Sequence, residues 1–377
     1  MKLYLAVFLA VTLVTLGQKG NSNERIKEII LKIPEKQTRS VNGIADYITA
    51  NFTAESDKAE ALYTWIAHHI EYDIQGMELA GSYEKRTELL NRVLKTRKGI
   101  CSHYAELFTE IAGLMDITSF VVAGYTKQDS MVNPLSHVWN AVRLDSVWYL
   151  VDATWGAGYI IDNRFVQKFD SRYFKMDPQT AIETHMPFDP LWQFLSSPLT
   201  PGEFCRHQIS TEEKPYFDYG DTLASYLEMS SLNRFLSAAK RVERNGIYNT
   251  MIAAHLKDLG RGADYHQKWQ DVDLYNEAVN EYNEGISRLN RFMDYREDHF
   301  QPEKPDEEIR DMLYICEVHF DKAKKNLESI KTSDRDLRVS VGELDKEINR
   351  VKVKWNNHKS FLDHYLGTDK SLRKSLL

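Results

Sequence analysis

The amino-acid sequence predicts an α+β domain followed by an all-α antiparallel helical bundle. Two features of the 377-residue chain indicate this order. Helical and strand periodicities mix before residue 200, whereas helical heptads dominate beyond residue 216. Pro201, Gly202 and Pro215 lie between the two regions, as turn and linker residues do. We therefore expect a first domain ending at residue 200, a linker over 201–216 and a bundle over 217–377.

Two helices and three strands are predicted in the first domain. Apolar residues recur at helical spacing over residues 57–69 and 101–115. Residues 119–125, 137–144 and 147–155 are rich in Val, Trp and Tyr, as strands are. A helix followed by a meander of strands is typical of α+β domains.

Three heptad runs predict the long helices of the bundle. Their apolar residues alternate at spacings of four and three, which is the seam of a coiled coil. Pro302 and Pro305 separate the first run from the second, and a polar stretch at 332–334 separates the second from the third. Because these breaks are short, neighbouring helices should run antiparallel. The sequence favours a structural bundle that packs on the first domain; an arm that binds a protein partner is the alternative. The seam residues are Tyr275, Val279, Tyr282, Ile286, Leu289 and Met293, then Ile309, Leu313, Cys316, Phe320, Ala323, Leu327 and Ile330, then Leu337, Val341, Leu344, Ile348, Val351, Trp355, Leu362 and Tyr365.

The first residues are typical of a signal peptide. Met1 and Lys2 precede an apolar run over residues 3–16, and the small residue Gly17 follows it. The run is shorter than the roughly 20 apolar residues of a membrane span. We expect cleavage after Gly17, which would remove residues 1–17; an uncleaved anchor is the alternative. No later segment has the sequence of a membrane span, so we expect an exported protein, periplasmic or secreted.

Charge and motif content exclude several classes of function. The net charge is −7, and the sequence lacks the basic patch of a nucleic-acid-binding protein. His68 and His69 have no partners at metal-ligand spacing, and no cysteine pair or His-Glu-x-x-His run is present. We therefore expect neither a metal nor a cofactor.

Cys101 is a candidate nucleophile because of its place at the start of a predicted helix. The unsatisfied N–H groups and the dipole at a helix N-terminus favour the thiolate form of cysteine. Gly99 is expected to let the backbone turn sharply into this helix. Taken alone, Cys101 would be interpreted as a buried core thiol, the common fate of a free cysteine.

A predicted hairpin brings two further residues to this thiol. Asp145 and Ser146 can form a two-residue turn, which would pair Leu144 with Val147. The register of the two strands then follows by counting outward from the turn.

In that register Trp139 lies opposite Asp152, and His137 lies opposite Thr154. These side chains share one face of the hairpin, and His137 and Asp152 are diagonal neighbours. An imidazole and a carboxylate at this separation can form a hydrogen bond. The hairpin thus supplies a base, His137, and a group that orients it, Asp152.

These three residues predict acyl transfer at a thiol. Cys101 attacks an acyl carbon, and His137 takes the thiol proton and later returns it to the leaving group. Asp152 fixes the tautomer of His137 and stabilises its charged form. The backbone N–H of Cys101 is a natural oxyanion donor, but the sequence does not identify the second donor.

Three ordered motifs are similar to those of the transglutaminase-like superfamily. Lys-Gly-Ile-Cys-Ser-His-Tyr-Ala at 98–105 resembles its nucleophile motif, and Ser-His-Val-Trp-Asn-Ala-Val at 136–142 resembles its histidine motif. Trp-Tyr-Leu-Val-Asp-Ala-Thr-Trp-Gly at 148–156 resembles its aspartate motif, most closely in the branch that contains the kyphoscoliosis peptidase. The Ile-Glu-Tyr-Asp run at 70–73 fits the same branch. The resemblance covers residues 55–200 and implies a papain-like α+β fold with a Cys-His-Asp triad.

Four further residues near the triad are candidates for its surroundings. His103 stands where the family commonly has glycine, which affects the expected shape of the pocket. We interpret His103 as a pocket-wall residue, since side chains two apart on a helix do not meet. Gly99, Trp139 and Trp155 are further pocket candidates, although a core position is the favoured interpretation for both tryptophans.

Three functions fit the sequence. The first is a cysteine peptidase or amidase that acts on a protein or peptide substrate and resolves the acyl-enzyme with water. The second is a protein-crosslinking transglutaminase that uses an amine; the lack of an Asp/Asn-rich calcium loop favours hydrolysis. The third is a non-catalytic adaptor whose helical bundle binds a partner.

The cysteine count leaves one hypothesis about disulfides. Of three cysteines, Cys101 must stay reduced to act, which leaves Cys205 and Cys316 to form a bridge in an oxidising compartment. The sequence favours a simpler interpretation, in which Cys316 is a small apolar residue of the heptad seam.

Overall fold

The computed structural model describes residues 23–76, 85–206 and 214–377. The chain forms two compact units. The first runs through Met229 and includes Ser237–Asp258; the second contains Ser230–Leu236 and Leu259–Leu377. The predicted signal peptide, 1–17, lies outside the described residues. Within the described residues, no helix combines the length and apolarity needed to cross a membrane.

The first unit consists of short helices packed on a four-stranded sheet. Its helices are α1 (23–30), α2 (Val41–Asn51), α3 (Glu55–His69), α4 (Arg86–Thr96), α5 (Cys101–Leu114), α6 (Ala153–Ala157), α7 (Pro178–Ala181), α8 (Pro201–Arg206) and α9 (Tyr219–Glu228). Its strands are β1 (Glu71–Tyr72), β2 (Lys98–Gly99), β3 (Ser119–Gln128), β4 (Met131–Leu144), β5 (Val147–Val151), β6 (Gly158–Ile161), β7 (Arg164–Gln167) and β8 (His185–Pro187).

The central sheet has the strand order β5-β4-β3-β8, with antiparallel neighbours throughout. Leu144 pairs with Val147 across a two-residue turn, which confirms the predicted hairpin register. Asp145 and Ser146 take φ values of 50° and 68°, as this type of tight hairpin turn requires.

The third predicted strand is shorter than expected. β5 ends at Val151, and residues 153–155, the last part of the predicted strand, belong to α6. The Asp152 carboxylate accepts hydrogen bonds from the backbone N–H groups of Thr154 and Trp155, so it caps α6 and stops the strand. Thr154 is therefore helical and does not lie opposite His137.

Helix α5 lies against the sheet and fixes the position of its first residue. Asn140 on β4 donates its amide to the backbone oxygen of Ala105 at 3.0 Å and to Thr109 Oγ1 at 2.9 Å. Leu107, Phe108 and Ile111 of α5 are fully buried in the core shared with α3 and α4. This packing holds the N-terminus of α5 close to His137, which lies in the middle of β4.

The second unit contains the predicted bundle helices. They are α11 (Thr250–Glu297, whose first residues belong to the first unit), α12 (Asp306–Ser329) and α13 (Arg335–Gly367). Trp355 donates to the backbone oxygen of Leu313, and Lys352 pairs with Asp321, so α12 and α13 run antiparallel.

The first two helices of the bundle, α11 and α12, also run in opposite directions. His319 contacts Glu281 and Asn326 contacts Glu277, so α11 and α12 are also antiparallel. Nearly all of the predicted seam residues belong to one apolar core, and the coiled-coil packing stays a prediction.

The compact units divide the chain differently from the predicted boundaries. The linker predicted at 201–216 includes α8, whose Phe204 is buried. Helix α9 also belongs to the first unit, because Leu223 and Tyr226 pack in a cluster with Trp192. Helix α10 (Ser231–Asn245) contributes to both units.

Candidate active site

Cys101 is the first residue of α5 and is partly exposed. Ile100 is the N-cap in extended conformation, and the backbone N–H of Cys101, at the first helical position, has no acceptor within the helix. The thiol forms hydrogen bonds with His137 and with the Tyr72 hydroxyl. The predicted nucleophile therefore has a base within contact distance.

Gly99 does not make the sharp turn expected of it, and His103 has a contact that the sequence did not predict. Gly99 has no positive φ; a Cβ at this position would lie 2.8 Å from the Cβ of His103, so close packing, and not a sharp turn, requires glycine. His103 Nδ1 accepts the backbone N–H of Ile100 at 3.1 Å and thus closes the start of α5. Its place as a pocket-wall residue stays a prediction.

His137 lies on β4 with only 8% of its surface exposed. Its Nε2 donates to Asp152 Oδ2 at 2.7 Å, which leaves Nδ1 to face Cys101. Burial alone would lower the pKa of His137, but the Asp152 carboxylate and the contact with Cys101 raise it well above its usual value. The imidazole is therefore charged at neutral pH, which suits a partner for a thiolate.

Asp152 is fully buried and uses both carboxylate oxygens. Oδ1 accepts the two backbone N–H groups of α6 at 2.9 and 3.0 Å. Oδ2 accepts His137 at 2.7 Å and His185 at 3.1 Å. Burial alone would raise the pKa of Asp152, but the two imidazoles hold it well below its usual value. Asp152 therefore stays ionised without an exposed surface.

His185 was missed by the sequence reasoning. It lies on β8, 33 residues beyond Asp152, and its side chain is fully buried. A lone histidine outside the three motifs gives no signal by spacing. Only the pairing of β8 with β3, in which Thr126 lies opposite His185, brings it to the site.

Tyr72 was also missed as a site residue, although the run at 70–73 contains it. Strand β1 pairs in parallel with β2, and Tyr72 lies beside Gly99. Its hydroxyl oxygen accepts the backbone N–H of Cys101 and bonds the thiol, so it occupies the space next to the reacting sulfur. Burial, together with the charges of Cys101 and Asp152, raises the pKa of Tyr72 well above its usual value, so the hydroxyl keeps its proton.

The two tryptophan candidates differ in exposure. Trp139 is 1% exposed and belongs to the core on one face of the sheet. Trp155 is partly exposed, and its ring lies 6.0 Å from that of His137 and 4.7 Å from that of His185. Trp155 therefore forms part of the wall of the site, whereas Trp139 supports it from within the core.

One cluster in the described part of the chain has metal-ligand spacing. Potential ligand atoms of His137, Asp152 and His185 lie within 4.8 Å of one another. The arrangement is equally that of a hydrogen-bonded network, because both Nε2 atoms are within bonding distance of Oδ2. The expectation of no metal stays a prediction.

The family model of the transglutaminase-like superfamily matches residues 42–153. This segment is a transglutaminase-like domain. The match contains Cys101, His137 and Asp152, whereas His185 lies beyond it. The family suggested by the three motifs is thereby confirmed for this part of the chain.

Curated relatives are similar to the same region. The chain is 35% identical over 158 residues to kyphoscoliosis peptidase from Homo sapiens, which covers 39% of this chain and 23% of that protein. It is 23% identical over 225 residues to hillarin from Drosophila melanogaster, covering 52% of this chain and 26% of that protein. The transglutaminase-like domain and its flanks thus span about a quarter of the length of these relatives.

Solved structures show weaker similarity. The periplasmic domain of TgpA from Pseudomonas aeruginosa is 23% identical, with a TM-score of 0.26, over 35% of this chain and 48% of that chain. A second solved structure, described as a TGase, has 17% sequence identity to this chain and a TM-score of 0.27, over 38% of this chain and 35% of that chain.

Proposed function

We propose that the protein is an exported, thiol-dependent acyl-transfer enzyme, a cysteine peptidase or amidase that cleaves peptide or isopeptide amide bonds. One observation carries the proposal. A partly exposed thiol at a helix N-terminus bonds an imidazole whose other nitrogen bonds a buried carboxylate at 2.7 Å. This is the constellation that nucleophilic catalysis by cysteine requires.

In the first half of the reaction, Cys101 Sγ attacks the carbonyl carbon of the scissile amide. The thiol proton resides on His137 Nδ1, and the amide C–N bond breaks as this proton passes to the leaving nitrogen. The products are a thioester on Cys101 and a free amine. Asp152 stabilises the charged imidazole before the transfer and keeps Nε2 protonated throughout.

The oxyanion of the tetrahedral intermediate needs two donors. The backbone N–H of Cys101 is the first, and the Tyr72 hydroxyl, which contacts both this N–H and the thiol, is the second in our proposal. On substrate binding, the oxyanion takes the place between these two donors. A neutral phenol suits this role, because it presents a hydrogen bond without a charge to desolvate.

In the second half, water attacks the thioester carbon and gives a proton to His137. The C–S bond breaks, the carboxylic acid leaves, and His137 keeps the proton as the imidazolium partner of the released sulfur. The name of the human relative, a peptidase, supports water as the acceptor. An amine in place of water would make the same site a transglutaminase.

Mass spectrometry of a peptide mixture distinguishes these outcomes. The protein starting at Gln18 is incubated with the mixture in ¹⁸O-labelled water, with and without a small primary amine, beside Cys101→Ala as control. New carboxyl termini carrying ¹⁸O support hydrolysis, and amine adducts on glutamine would support crosslinking instead. If neither product exceeds the control, the protein is not an acyl-transfer enzyme, and the adaptor hypothesis replaces it.

Export is a separate part of the proposal. It rests on the basic start and the apolar run over 3–16. Expression of the full chain in its native host, followed by fractionation and N-terminal sequencing, is expected to recover a mature chain beginning at Gln18 outside the cytoplasm. A chain that stays in the cytoplasm with Met1 intact would contradict it.

A further inference from the structure

Asp152 receives a second imidazole that the triad does not use. His185 Nε2 lies 3.1 Å from Oδ2, the same oxygen that His137 contacts at 2.7 Å. With the two backbone N–H groups on Oδ1, the carboxylate has four donors for its four lone-pair sites. None of these sites is left for water, which agrees with the complete burial of the side chain.

The tautomer of His185 follows from its two neighbours. Thr184 Oγ1 lies 2.8 Å from Nδ1 on the side of the ring away from Asp152. Burial, with the charge of His137, lowers the pKa of His185, while its bond to Asp152 opposes this, so the ring is neutral. A neutral imidazole has one N–H. That N–H faces the Asp152 carboxylate, and Nδ1 accepts the Thr184 hydroxyl.

The ring of His185 is held firmly in place. The ring centroid of Trp155 lies 4.7 Å from that of His185, and the ring of Trp139 contacts it edge-on with 5.1 Å between the centroids. Its backbone is part of β8, which pairs with β3 on the opposite side from β4. The two imidazoles on Asp152 are thus carried by two different strands, and the carboxylate is clamped between them.

We propose that His185 is a positioning residue for acyl transfer, which keeps the Asp152 carboxylate ionised and aimed at His137. This rests on the proposed function of the Cys101 site. Without the His185 donor, one lone pair of Oδ2 would be buried without a partner, which costs free energy and is relieved by protonating or rotating the carboxylate. Either change weakens the hold on the imidazolium of His137.

Among the residues that the structure describes, few other groups can titrate near Asp152. Four tyrosines are coupled to its charge, but burial raises the pKa of each above its ordinary value, so all four stay neutral over the useful pH range. These tyrosines are Tyr63 of α3, Tyr72 of β1, Tyr104 of α5 and Tyr173. The acidic limb is the fall in the rate of Cys101 alkylation as the pH is lowered. A shift of this limb therefore reports on Asp152, its two histidines and Cys101.

The test compares His185→Met, which keeps the volume and removes the donor, with His185→Gln, which keeps an N–H donor. Iodoacetamide alkylation of Cys101 is measured against pH without substrate, and kcat and KM are measured on a cleaved peptide. We expect His185→Met to lose about 100-fold in kcat with little change in KM, as misplaced catalytic groups do. Its acidic limb of alkylation should move to higher pH, and His185→Gln should restore most of both properties.

Several outcomes separate this proposal from the proposed function. If wild type alkylates with the expected acidic limb but cleaves nothing, the enzyme hypothesis fails, while a limb that moves in His185→Met still supports positioning of Asp152. If kcat falls equally in His185→Met and His185→Gln, and in proportion to the fall in melting temperature, the positioning role is overturned. An unchanged limb in His185→Met would also overturn it. One-to-one zinc binding that both variants abolish would make His185 a ligand instead.

A milder variant covers the case in which His185→Met does not fold. Thr184→Val removes the hydroxyl that fixes the tautomer and keeps the side-chain shape. It is expected to move the acidic limb in the same direction by a smaller amount. A wild-type limb in Thr184→Val, together with wild-type kcat, would then contradict the proposal.

Discussion

Cys101 and Cys316 are both free thiols in helices, but their surroundings differ. Cys101 begins α5, is partly exposed, and bonds His137 and Tyr72. Cys316 lies in the middle of α12, has no exposed surface, and its thiol donates only to the backbone oxygen of Met312 at 3.5 Å. Burial raises the pKa of Cys316 to about 11.

The comparison shows that the neighbours of a cysteine, more than its helix, decide what the thiol can do. An apolar seam turns the thiol into a small core side chain. A helix N-terminus with an imidazole beside it makes a nucleophile. Cys316 lies in the apolar core of the bundle, as the simpler interpretation of it as a seam residue predicts, and the bridge to Cys205 stays a prediction.

The largest expected effect is the loss of activity on removal of the Cys101 thiol, and removal of the Cys316 thiol is the comparison. Cys101→Ala is expected to abolish acyl transfer and leave the melting temperature unchanged, because nothing replaces the nucleophile. Cys316→Ala is expected to keep full activity and lose about 1 kcal/mol of unfolding free energy, as small core truncations do. Turnover assays and thermal unfolding of both variants check this. Turnover that survives in Cys101→Ala would refute the assignment of the nucleophile.

Replacing the carboxylate of Asp152 by an amide should have the next largest effect. Asp152→Asn keeps an oxygen to cap α6, but its NH₂ group faces Nε2 of His137 and favours the tautomer with the proton on Nδ1. The base is then lost, and kcat is expected to fall by about 10⁴. A loss below about tenfold in steady-state assays would show that Asp152 does not orient His137.

The Tyr72 hydroxyl is tested by Tyr72→Phe, which keeps the ring and its contacts with Tyr104 and Phe165. Loss of one oxyanion donor is expected to lower kcat by about 10² to 10³ with KM nearly constant. Tyr104→Phe is a matched control, since its hydroxyl bonds the backbone oxygen of Ile70 and not the thiol. A Tyr72→Phe variant that is faster than wild type would mean that the hydroxyl blocks the sulfur.

The smallest expected effect is a pH dependence of stability from His137. In a Cys101→Ala background, where this thiol cannot titrate, folded His137 keeps its proton, whereas the unfolded chain releases it above about pH 6.5. The reference is the double variant that carries both Cys101→Ala and His137→Gln. Relative to it, the free energy of unfolding of Cys101→Ala should fall by about 1.4 kcal/mol per pH unit between about pH 7 and pH 9. This contribution ends as the pH passes the folded pKa of His137, about 10 in the wild-type chain. Denaturant titrations at pH 7, 8 and 9 measure the slope; identical slopes would mean that His137 is neutral.

Local patterns account for the parts of the fold that could be predicted. The hairpin register followed from two turn residues, Asp145 and Ser146, and the bundle core followed from heptad spacing. Both depend on neighbours close in sequence or on a strict period. The end of β5 could not be predicted in this way, because the sequence of residues 147–155 is typical of a continuous strand, and only the structure shows that the Asp152 carboxylate caps α6.

Long-range contacts explain what was missed at the site. Tyr72 reaches Cys101 because β1 pairs in parallel with β2, and a two-residue strand leaves no periodic trace. His185 reaches Asp152 because a three-residue strand adds to the far edge of the sheet. Cys101, His137 and Asp152 could be found because their motifs are dense and ordered, whereas single residues on short strands could not.

Asp152 both caps a helix and binds the imidazoles, which affects how inactive homologues should be recognised. One of its oxygens closes the first turn of α6, and the other holds the imidazoles. A lineage that gave up chemistry could replace Cys101 at little cost to folding. At position 152 it would retain aspartate or asparagine, because the helix still needs its cap. A surviving acidic or amide residue at this position is therefore a poor marker of activity, and the state of the thiol position is the better one.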